Sequence, residues 1–254
     1  MDPIAVFGRA PVFVHAHPDD ESISTGGTIA ALVEAGAAVT IVTGTRGERG
    51  EVVPGQWHHL EGTEALGPHR VHELRAALAA LAPVSHSFLG PRAYADSGMQ
   101  WGEGGFAEAA ADAPADALSR ALLDDVVGDL MAVLPTDATS VVGYDALGGY
   151  GHPDHVRMHE AGLEVARRRG LPYFAIVEPR VDRPTHDGVA DDDGSEGDIA
   201  IRLTAPQFAV KLAAMAAHAT QLTVSRTADG TAAFTLSGGQ THPVAVVESF
   251  TRLR

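Results

Sequence analysis

The sequence has 254 residues, of which 45% are hydrophobic, with a formal net charge of −15 and no cysteine. It contains no apolar run near the roughly 20 residues that a membrane span needs, so we expect no membrane partner. The negative charge argues against nucleic acid as a ligand, because phosphate binding relies on Lys and Arg. Without cysteine, a metal ion would have to be held by His, Asp or Glu. The start, Met1 to Ile4, lacks the basic residues of a secretory signal, and we expect a cytoplasmic protein.

Apolar, β-branched runs alternate with helical patterns along most of the chain. The predicted strands cover 11–17, 38–43, 86–89, 139–144 and 173–177. The predicted helices cover 26–36, 69–82, 114–134, 153–169 and 205–219, and the tail at 223–247 predicts further strands. Such alternation is typical of βαβ units. We therefore expect one α/β domain over residues 1–254, with a Rossmann-like, mostly parallel sheet flanked by helices and a small C-terminal β extension.

Two loops interrupt this pattern. The loop at 90–105 carries Tyr94, Met99 and Trp101. Because loops of this length in compact domains are usually functional or disordered, its aromatic residues favour a functional role. The acidic run at 191–198 predicts a solvated, mobile insertion, since blocks of like charge are usually disordered. It lacks the ligand spacing of a calcium-binding hand.

Two stretches of the form His-Pro-Asp follow predicted strands. The first is the run His15-Ala16-His17-Pro18-Asp19-Asp20-Glu21, and the second is Gly151-His152-Pro153-Asp154-His155. Open α/β sheets place their binding crevices at the carboxyl ends of parallel strands. The sequence therefore predicts that these two turns meet at one edge of the sheet.

The side chains of the two turns form a set that is typical of a catalytic metal site. Two imidazoles and one carboxylate, from His17, His155 and Asp20, recur as zinc ligands that leave positions open for water. His17 and Asp20 are three residues apart on one turn, so both can face one ion. We predict Zn²⁺ as the cofactor, with Fe²⁺ as a possible substitute at such N/O sites.

The remaining side chains of the turns complete a hydrolytic set. Asp19, next to the ligands but not needed as one, is the natural general base. His152 could donate a proton or stabilise an oxyanion. Asp154 could hold the His152 imidazole in one tautomer.

Structural alternatives exist for several of these residues. Asp19 or Asp20 could be an N-cap or first-turn acid of the following helix. His15 is predicted as a buried strand residue. His159, four residues after His155, is expected to pack or to support a ligand rather than to bind metal. No role is predicted for His58, His59, His69, His72, His86, His186, His218 and His242.

Two other functions could use the same residues. A non-haem iron oxygenase also binds its metal through two His and one carboxylate. A non-catalytic module could use the site only to bind a metal or a sugar. The spare carboxylate and the α/β pattern favour hydrolysis.

The motifs resemble those of a known family. Residues 14–22 and 144–155 look like the two signatures of the PIG-L/LmbE-like zinc-dependent N-deacetylases, and most closely like those of the mycothiol-pathway branch. That branch contains the N-acetylglucosaminyl-inositol deacetylase and the mycothiol conjugate amidase. Weaker similarities occur in the same order along the chain, at residues 47–52, 70–74, 96–99 and 218–221. The resemblance runs from about residue 11 to about residue 245.

The resemblance implies a function and further site residues. It implies a hydrolase that removes an N-acetyl or similar acyl group from a small-molecule amino-sugar substrate, with the conjugate amidase or a deacetylase of another N-acylated glycoside as alternatives. It assigns His17, Asp20 and His155 to zinc, Asp19 to the base, and His152, supported by Asp154, to the tetrahedral intermediate. Tyr150 would close over the acyl group. Sugar contacts are implied for Arg70, Asp96 and Glu51.

The chain departs from this branch in one region. The segment between the fifth predicted strand and the helix at 205 is shorter than in the mycothiol enzymes, where it helps to wall the pocket. The acidic run at 191–198 occupies this segment. This departure concerns the substrate pocket and leaves the predicted metal chemistry unchanged.

Overall fold

The computed structural model describes residues 1–102, 106–177, 197–226 and 231–254. The prediction of a mobile insertion at 191–198 falls almost entirely outside these residues. The helices are α1 Pro3–Phe7, α2 Asp20–Ile23, α3 Gly26–Glu34, α4 Leu66–Leu81, α5 Leu123–Val133, α6 Pro153–Arg169 and α7 Ala205–Ala217. The strands are β1 Pro11–His15, β2 Thr40–Thr43, β3 Ser85–Phe88, β4 Met99–Trp101, β5 Ala107–Ala109, β6 Ser140–Gly143, β7 Tyr173–Val177, β8 Ile199–Arg202, β9 Leu222–Arg226, β10 Ala232–Leu236, β11 Thr241–Pro243 and β12 Val247–Arg252.

The main sheet confirms the predicted α/β class. Within the described residues its strand order is β3-β2-β1-β6-β7-β12-β8. The strands from β3 to β7 are parallel, whereas β12 is antiparallel to both β7 and β8. The chain runs from β1 outward to β2 and β3, and later from β6 outward to β7. The point where the order reverses, between β1 and β6, is where such sheets bind ligands.

Helices cover both faces of this sheet. On one face, Val126 and Leu130 of α5 and Val165 of α6 belong to the core cluster that contains Val12 and Val14 of β1. On the other, Leu32 of α3, Leu81 of α4 and Ala214 of α7 belong to the cluster around Phe13 and Ile41. Every residue of β1 is buried, as expected for a strand covered on both faces. None of the described helices has the length and apolar character to cross a bilayer.

The helix predicted over 114–134 is wrong in its first half. The structure has a 3₁₀ turn at Leu118–Arg120, and α5 begins only at Leu123. Leu122, inside the predicted helix, is 73% exposed. Backbone groups of this segment form hydrogen bonds with other parts of the chain. The Leu118 N–H donates to the Ala95 carbonyl at 2.9 Å, and the Arg157 guanidinium donates to the Ser119 carbonyl at 2.9 Å.

Two further differences lie in the loop at 90–105 and in the tail. Part of the loop is a ribbon, in which β4 pairs with β5. The predicted C-terminal β extension is present as an antiparallel sheet of β9, β10 and β11. The tail continues beyond it, because β12 enters the main sheet and buries Phe250.

Candidate active site

The two His-Pro-Asp turns lie side by side at the switch point of the sheet. β1 ends at His15, and the turn that follows carries His17 and Asp20. The segment after β6 leads to His152, the N-cap of α6, and Pro153 is the first residue of that helix. Proline suits this position because its missing N–H would have no partner within the helix. His155 therefore lies on the first turn of α6, facing the β1 turn.

Three side chains from these turns form a compact triangle of possible ligand atoms. His17 Nδ1 lies 3.3 Å from His155 Nε2 and 3.6 Å from Asp20 Oδ2. His155 Nε2 lies 3.5 Å from Asp20 Oδ1. Ligand atoms about 2.0–2.1 Å from a tetrahedral zinc ion are about 3.3–3.4 Å apart. The two distances to Asp20 involve different oxygens of one carboxylate, so both histidines approach this carboxylate at a spacing that fits a metal ion.

Other donors lie close to this triangle. Ligand atoms of His17, His152 and His155 lie within 4.8 Å of one another, and so do those of His17, Asp96, His152 and Asp154. His152 is thus a geometric rival of Asp20 for the third ligand position. Asp20 is the better candidate because it supplies a charge. Burial alone would raise the pKa of Asp20, but the adjacent His155 and His17 hold it well below its usual range.

Asp154 orients His17, not His152 as the sequence suggested. The His17 Nε2–H donates to Asp154 Oδ2 at 3.2 Å, which leaves Nδ1 facing the triangle. The Asp154 carboxylate also accepts the Ser97 N–H at 3.0 Å and the Ser97 hydroxyl. His152 is held by the backbone instead, because the Asp154 N–H donates to His152 Nδ1 at 3.2 Å. The helix N-terminus supplies this donor, so the carboxylate is available to His17.

The surroundings of His17 favour a cation. Asp20, Asp96 and Asp154 all lie within 4 Å of its ring nitrogens. Burial alone would lower the pKa of His17, but its hydrogen bonds to Asp154 and Asp20 raise that pKa well above its ordinary value. A pocket that attracts a proton in this way also attracts a metal ion.

Asp19 has the backbone of a strained functional residue. Its φ of 116° makes it the one non-glycine residue with positive φ in the described part of the chain. Such strain persists only where surrounding contacts impose it. Asp19 occupies the N-cap position of α2, but its carboxylate makes no capping hydrogen bond. Burial and the neighbouring Asp20 raise the pKa of Asp19 to about 8. The N-cap alternative is therefore wrong for this side chain.

His152 is a neutral hydrogen-bond donor. Burial and the neighbouring His17 and His155 lower its pKa to about 2. Because Nδ1 accepts from the Asp154 amide, the imidazole proton is on Nε2. The His152 ring centre lies 4.5 Å from that of His17 and 4.9 Å from that of His155. The site thus combines a triangle of possible ligand atoms, a carboxylate that makes no capping hydrogen bond and a neutral donor.

Comparison with known proteins places this geometry in a family. Residues 12–166 match the family model described as PIG-L, GlcNAc-PI de-N-acetylase. The chain belongs to the PIG-L family.

Curated PIG-L relatives share most of the chain. A protein of Kineococcus radiotolerans is 38% identical over 274 residues, covering 93% of this chain and 75% of the relative. A protein of Streptomyces avermitilis is 38% identical over 283 residues, covering 97% of this chain and 92% of the relative. Both are named 1D-myo-inositol 2-acetamido-2-deoxy-alpha-D-glucopyranoside deacetylase.

Solved structures share the fold at lower identity. A deacetylase–teicoplanin complex has a TM-score of 0.59 at 20% identity, covering 83% of this chain and 86% of its own. The 4-carboxy-2-hydroxymuconate hydratase of Pseudomonas putida has a TM-score of 0.55 at 20% identity, covering 97% of this chain and 96% of its own. Since one neighbour is a hydratase, the fold alone does not determine the reaction.

Tyr150 lies near His155 and is flanked by glycines. Its flanking residues Gly148, Gly149 and Gly151 have φ values of 65°, 67° and 96°, a region that favours glycine. Its ring centre is 5.3 Å from that of His155, and its side chain is 41% exposed. Closure over an acyl group stays a prediction.

The three residues predicted to contact a sugar have different surroundings. Asp96 is buried beside the site, 3.8 Å from His17 Nε2, and accepts the Gly98 N–H at 2.8 Å. The Arg70 guanidinium donates to the carbonyls of Gly47 and Glu51, at 2.5 and 2.7 Å, and so holds the loop after β2. The Glu51 carboxylate accepts the hydroxyl of Ser237. Their contacts to a sugar stay predictions.

Sequence reasoning missed the residues that stabilise the turn after β1 through hydrogen bonds. His218 Nε2 binds Glu21 Oε1 at 2.7 Å, and Glu21 Oε2 accepts the Asp19 N–H at 3.0 Å. Gln221 Nε2 donates to the Pro18 carbonyl at 2.7 Å. The similarity at 218–221 marked this segment, but nothing nearby in the sequence pointed to Glu21 as its partner.

His15 and His159, for which a structural role was predicted, are both buried and hydrogen-bonded. His15 is buried at the end of β1, with Nε2 3.1 Å from Thr25 Oγ1. His159 is also buried, and its Nδ1 donates to the Tyr144 carbonyl at 2.8 Å.

Proposed function

We propose that this chain hydrolyses the acetamide of N-acetylglucosaminyl-inositol, releasing acetate and the free amine, as the names of its curated relatives indicate. The observation that carries the proposal is the triangle of His17, Asp20 and His155, with Asp19, whose carboxylate makes no capping hydrogen bond, adjacent to Asp20 in the chain. The same set could cleave the amide of a mycothiol conjugate or of another N-acylated glycoside. Membership of a de-N-acetylase family argues against the oxygenase and the non-catalytic alternatives.

His17, Asp20 and His155 would hold the metal ion. We propose Zn²⁺, because imidazole and carboxylate ligands at this spacing suit it, with Fe²⁺ as a substitute. When bound, the ion would polarise the acyl carbonyl and lower the pKa of the attacking water to about 7. The carboxylate of Asp154 would make His17 a better ligand by accepting its Nε2–H.

Asp19 would act as the general base. Its carboxylate takes a proton from the water whose oxygen attacks the acyl carbon. Burial raises the pKa of Asp19, which suits this role. A nearby cation would lower that pKa toward neutral pH.

His152 would stabilise the oxyanion. Its Nε2–H donates to the oxygen of the former carbonyl as negative charge develops there. Because the His152 pKa is strongly lowered, Asp19 is the better source of the proton for the leaving amine. The C–N bond then breaks, and the proton that Asp19 removed from water passes to nitrogen.

Amine release from two substrates tests this proposal. Metal-loaded protein is given N-acetylglucosaminyl-inositol or plain N-acetylglucosamine, and the amine is measured over time. We expect faster release from the inositol glycoside. Release from neither substrate by protein that binds zinc would overturn the substrate assignment. Equal release from both would show that the inositol is not recognised. The cytoplasmic location of the protein stays a prediction.

A further inference from the structure

Tyr144 contacts two of the three proposed metal ligands, which come from distant parts of the chain. It directly follows β6 and is buried. Its hydroxyl donates to Asp20 Oδ2 at 2.7 Å, and its ring stacks on the His155 imidazole at a centroid distance of 4.1 Å and an angle of 15°. One side chain thus joins the turn after β1 to the first turn of α6.

The hydrogen bonds of Tyr144 determine which oxygen of Asp20 is available. The Ala16 N–H donates to the tyrosine oxygen at 2.7 Å, so the hydroxyl proton is directed to Asp20. Asp20 Oδ2 also accepts the His17 N–H at 2.9 Å. Two donors fill the two lone pairs of this oxygen. Oδ1, 3.5 Å from His155 Nε2, is the oxygen left to bind a cation.

We propose that Tyr144 is a positioning residue that makes Asp20 a ligand through Oδ1 alone and fixes the ring of His155. This inference rests on the proposed metal centre. Single-oxygen binding keeps another position of the ion open for the substrate. Without the hydroxyl, Oδ2 loses a donor, and Asp20 can rotate or offer both oxygens.

Tyr144 is itself held in place by groups outside the site. Its carbonyl accepts hydrogen bonds from His159 Nδ1 at 2.8 Å and from the Tyr173 hydroxyl at 2.9 Å. These donors lie on α6 and β7, whose positions the core fixes. The arrangement gives His159, which was not expected to bind metal, a role in supporting Tyr144.

Zinc affinity of Tyr144→Phe, measured by competition with a chromogenic chelator, tests the inference. Partners behind a metal ligand typically contribute about 10–100-fold to affinity, and we expect a loss in this range. Tyr94→Phe is the matched control, because the Tyr94 hydroxyl donates to Asp129 Oδ2 at 2.8 Å in another buried pair. We expect wild-type affinity for this control. Wild-type affinity in Tyr144→Phe, or an equal loss in both variants, would overturn the inference.

Two measurements keep the test decisive. If Tyr144→Phe is unstable without metal, its melting temperature is followed through a zinc titration, and the zinc concentration at half-stabilisation replaces the competition value. The Co²⁺ absorption spectrum reports the ligand arrangement directly, and it should change in Tyr144→Phe but not in Tyr94→Phe. If wild-type protein binds no metal, the proposed function fails, whereas normal wild-type binding with an unaffected variant rejects only the role of Tyr144.

Discussion

His17 Nε2 lies 3.2 Å from Asp154 Oδ2, and the opposite nitrogen of the same ring faces His155 at 3.3 Å. This arrangement fixes the His17 tautomer that a metal ligand needs. It also links a residue of the first turn to the helix that begins at the second.

Replacing Asp154 by Asn should therefore weaken metal binding. The variant removes the negative charge that accepts the His17 Nε2–H, and partners of this kind contribute about 10–100-fold to metal affinity. Isothermal titration with zinc measures the change. Ser97→Ala is the control, because it removes a donor to Asp154 but keeps the carboxylate on His17. Unchanged affinity in Asp154→Asn would show that this contact does not support the ligand.

Asp19→Asn should keep the metal and lose activity. The amide cannot take a proton from water, and a positioned general base contributes about 10²–10⁴-fold. Zinc content per chain and kcat for amine release are measured on the same preparation. Asp112→Asn, which removes an exposed carboxylate paired with Arg49, serves as the control and should retain its activity. A fully loaded Asp19→Asn protein with near wild-type kcat would exclude Asp19 as the base.

His152→Gln separates an oxyanion donor from a metal ligand. If His152 only donates a hydrogen bond, kcat should fall about 10²–10³-fold while zinc affinity is retained. His155→Gln should instead lose the metal. A loss of zinc in His152→Gln comparable to that in His155→Gln would mean that His152, rather than Asp20, completes the ligand triangle.

The buried pair of His218 and Glu21 should make stability depend on pH. Burial alone would lower the pKa of His218, but Glu21 raises it above its ordinary value of 6.5. The folded state therefore binds the proton more tightly than the unfolded state. This stabilisation is complete below pH 6.5 and is lost as the pH rises through the raised pKa.

Urea unfolding of wild-type and His218→Gln proteins from pH 6 to pH 9 measures this effect. A chelator is present, so that metal binding does not contribute. We expect the difference in the free energy of unfolding to shrink as the pH rises. A difference that is constant or grows with pH contradicts an ionised His218.

The parts of the fold that follow from local patterns could be predicted. β1, β2 and β7 are continuous apolar or β-branched runs, and α6 has Pro153 at its start and Gly170 at its end. The helix predicted from 114 failed because its apolar spacing is real but its backbone carbonyls bind Arg157, which lies far along the chain. Apolar spacing did not report burial throughout this segment, since Leu122 is 73% exposed, and it cannot show such a competing partner.

In the candidate site, too, only the features that follow from local patterns could be predicted. Residues on the two turns could be grouped because parallel strands end at one edge of the sheet. Tyr144, Glu21 and His218 act through contacts between segments that are 124 or 197 residues apart, and neither contact leaves a local pattern. Asp154 was expected to hold His152 but binds His17 instead, because His152 accepts a hydrogen bond from the N-terminus of α6. This is a detail of capping geometry, which residue spacing does not show.

Removal and return of the metal tests whether His17, Asp20 and His155 hold a catalytic ion. Acetate release from N-acetylglucosaminyl-inositol is measured with purified protein, after dialysis against a chelator, and after zinc is added back to the dialysed protein. We predict that release stops in the metal-free protein and returns with about one zinc ion per chain, as expected for a single ligand triangle. An unchanged rate in protein shown to be metal-free would contradict the role assigned to His17, Asp20 and His155.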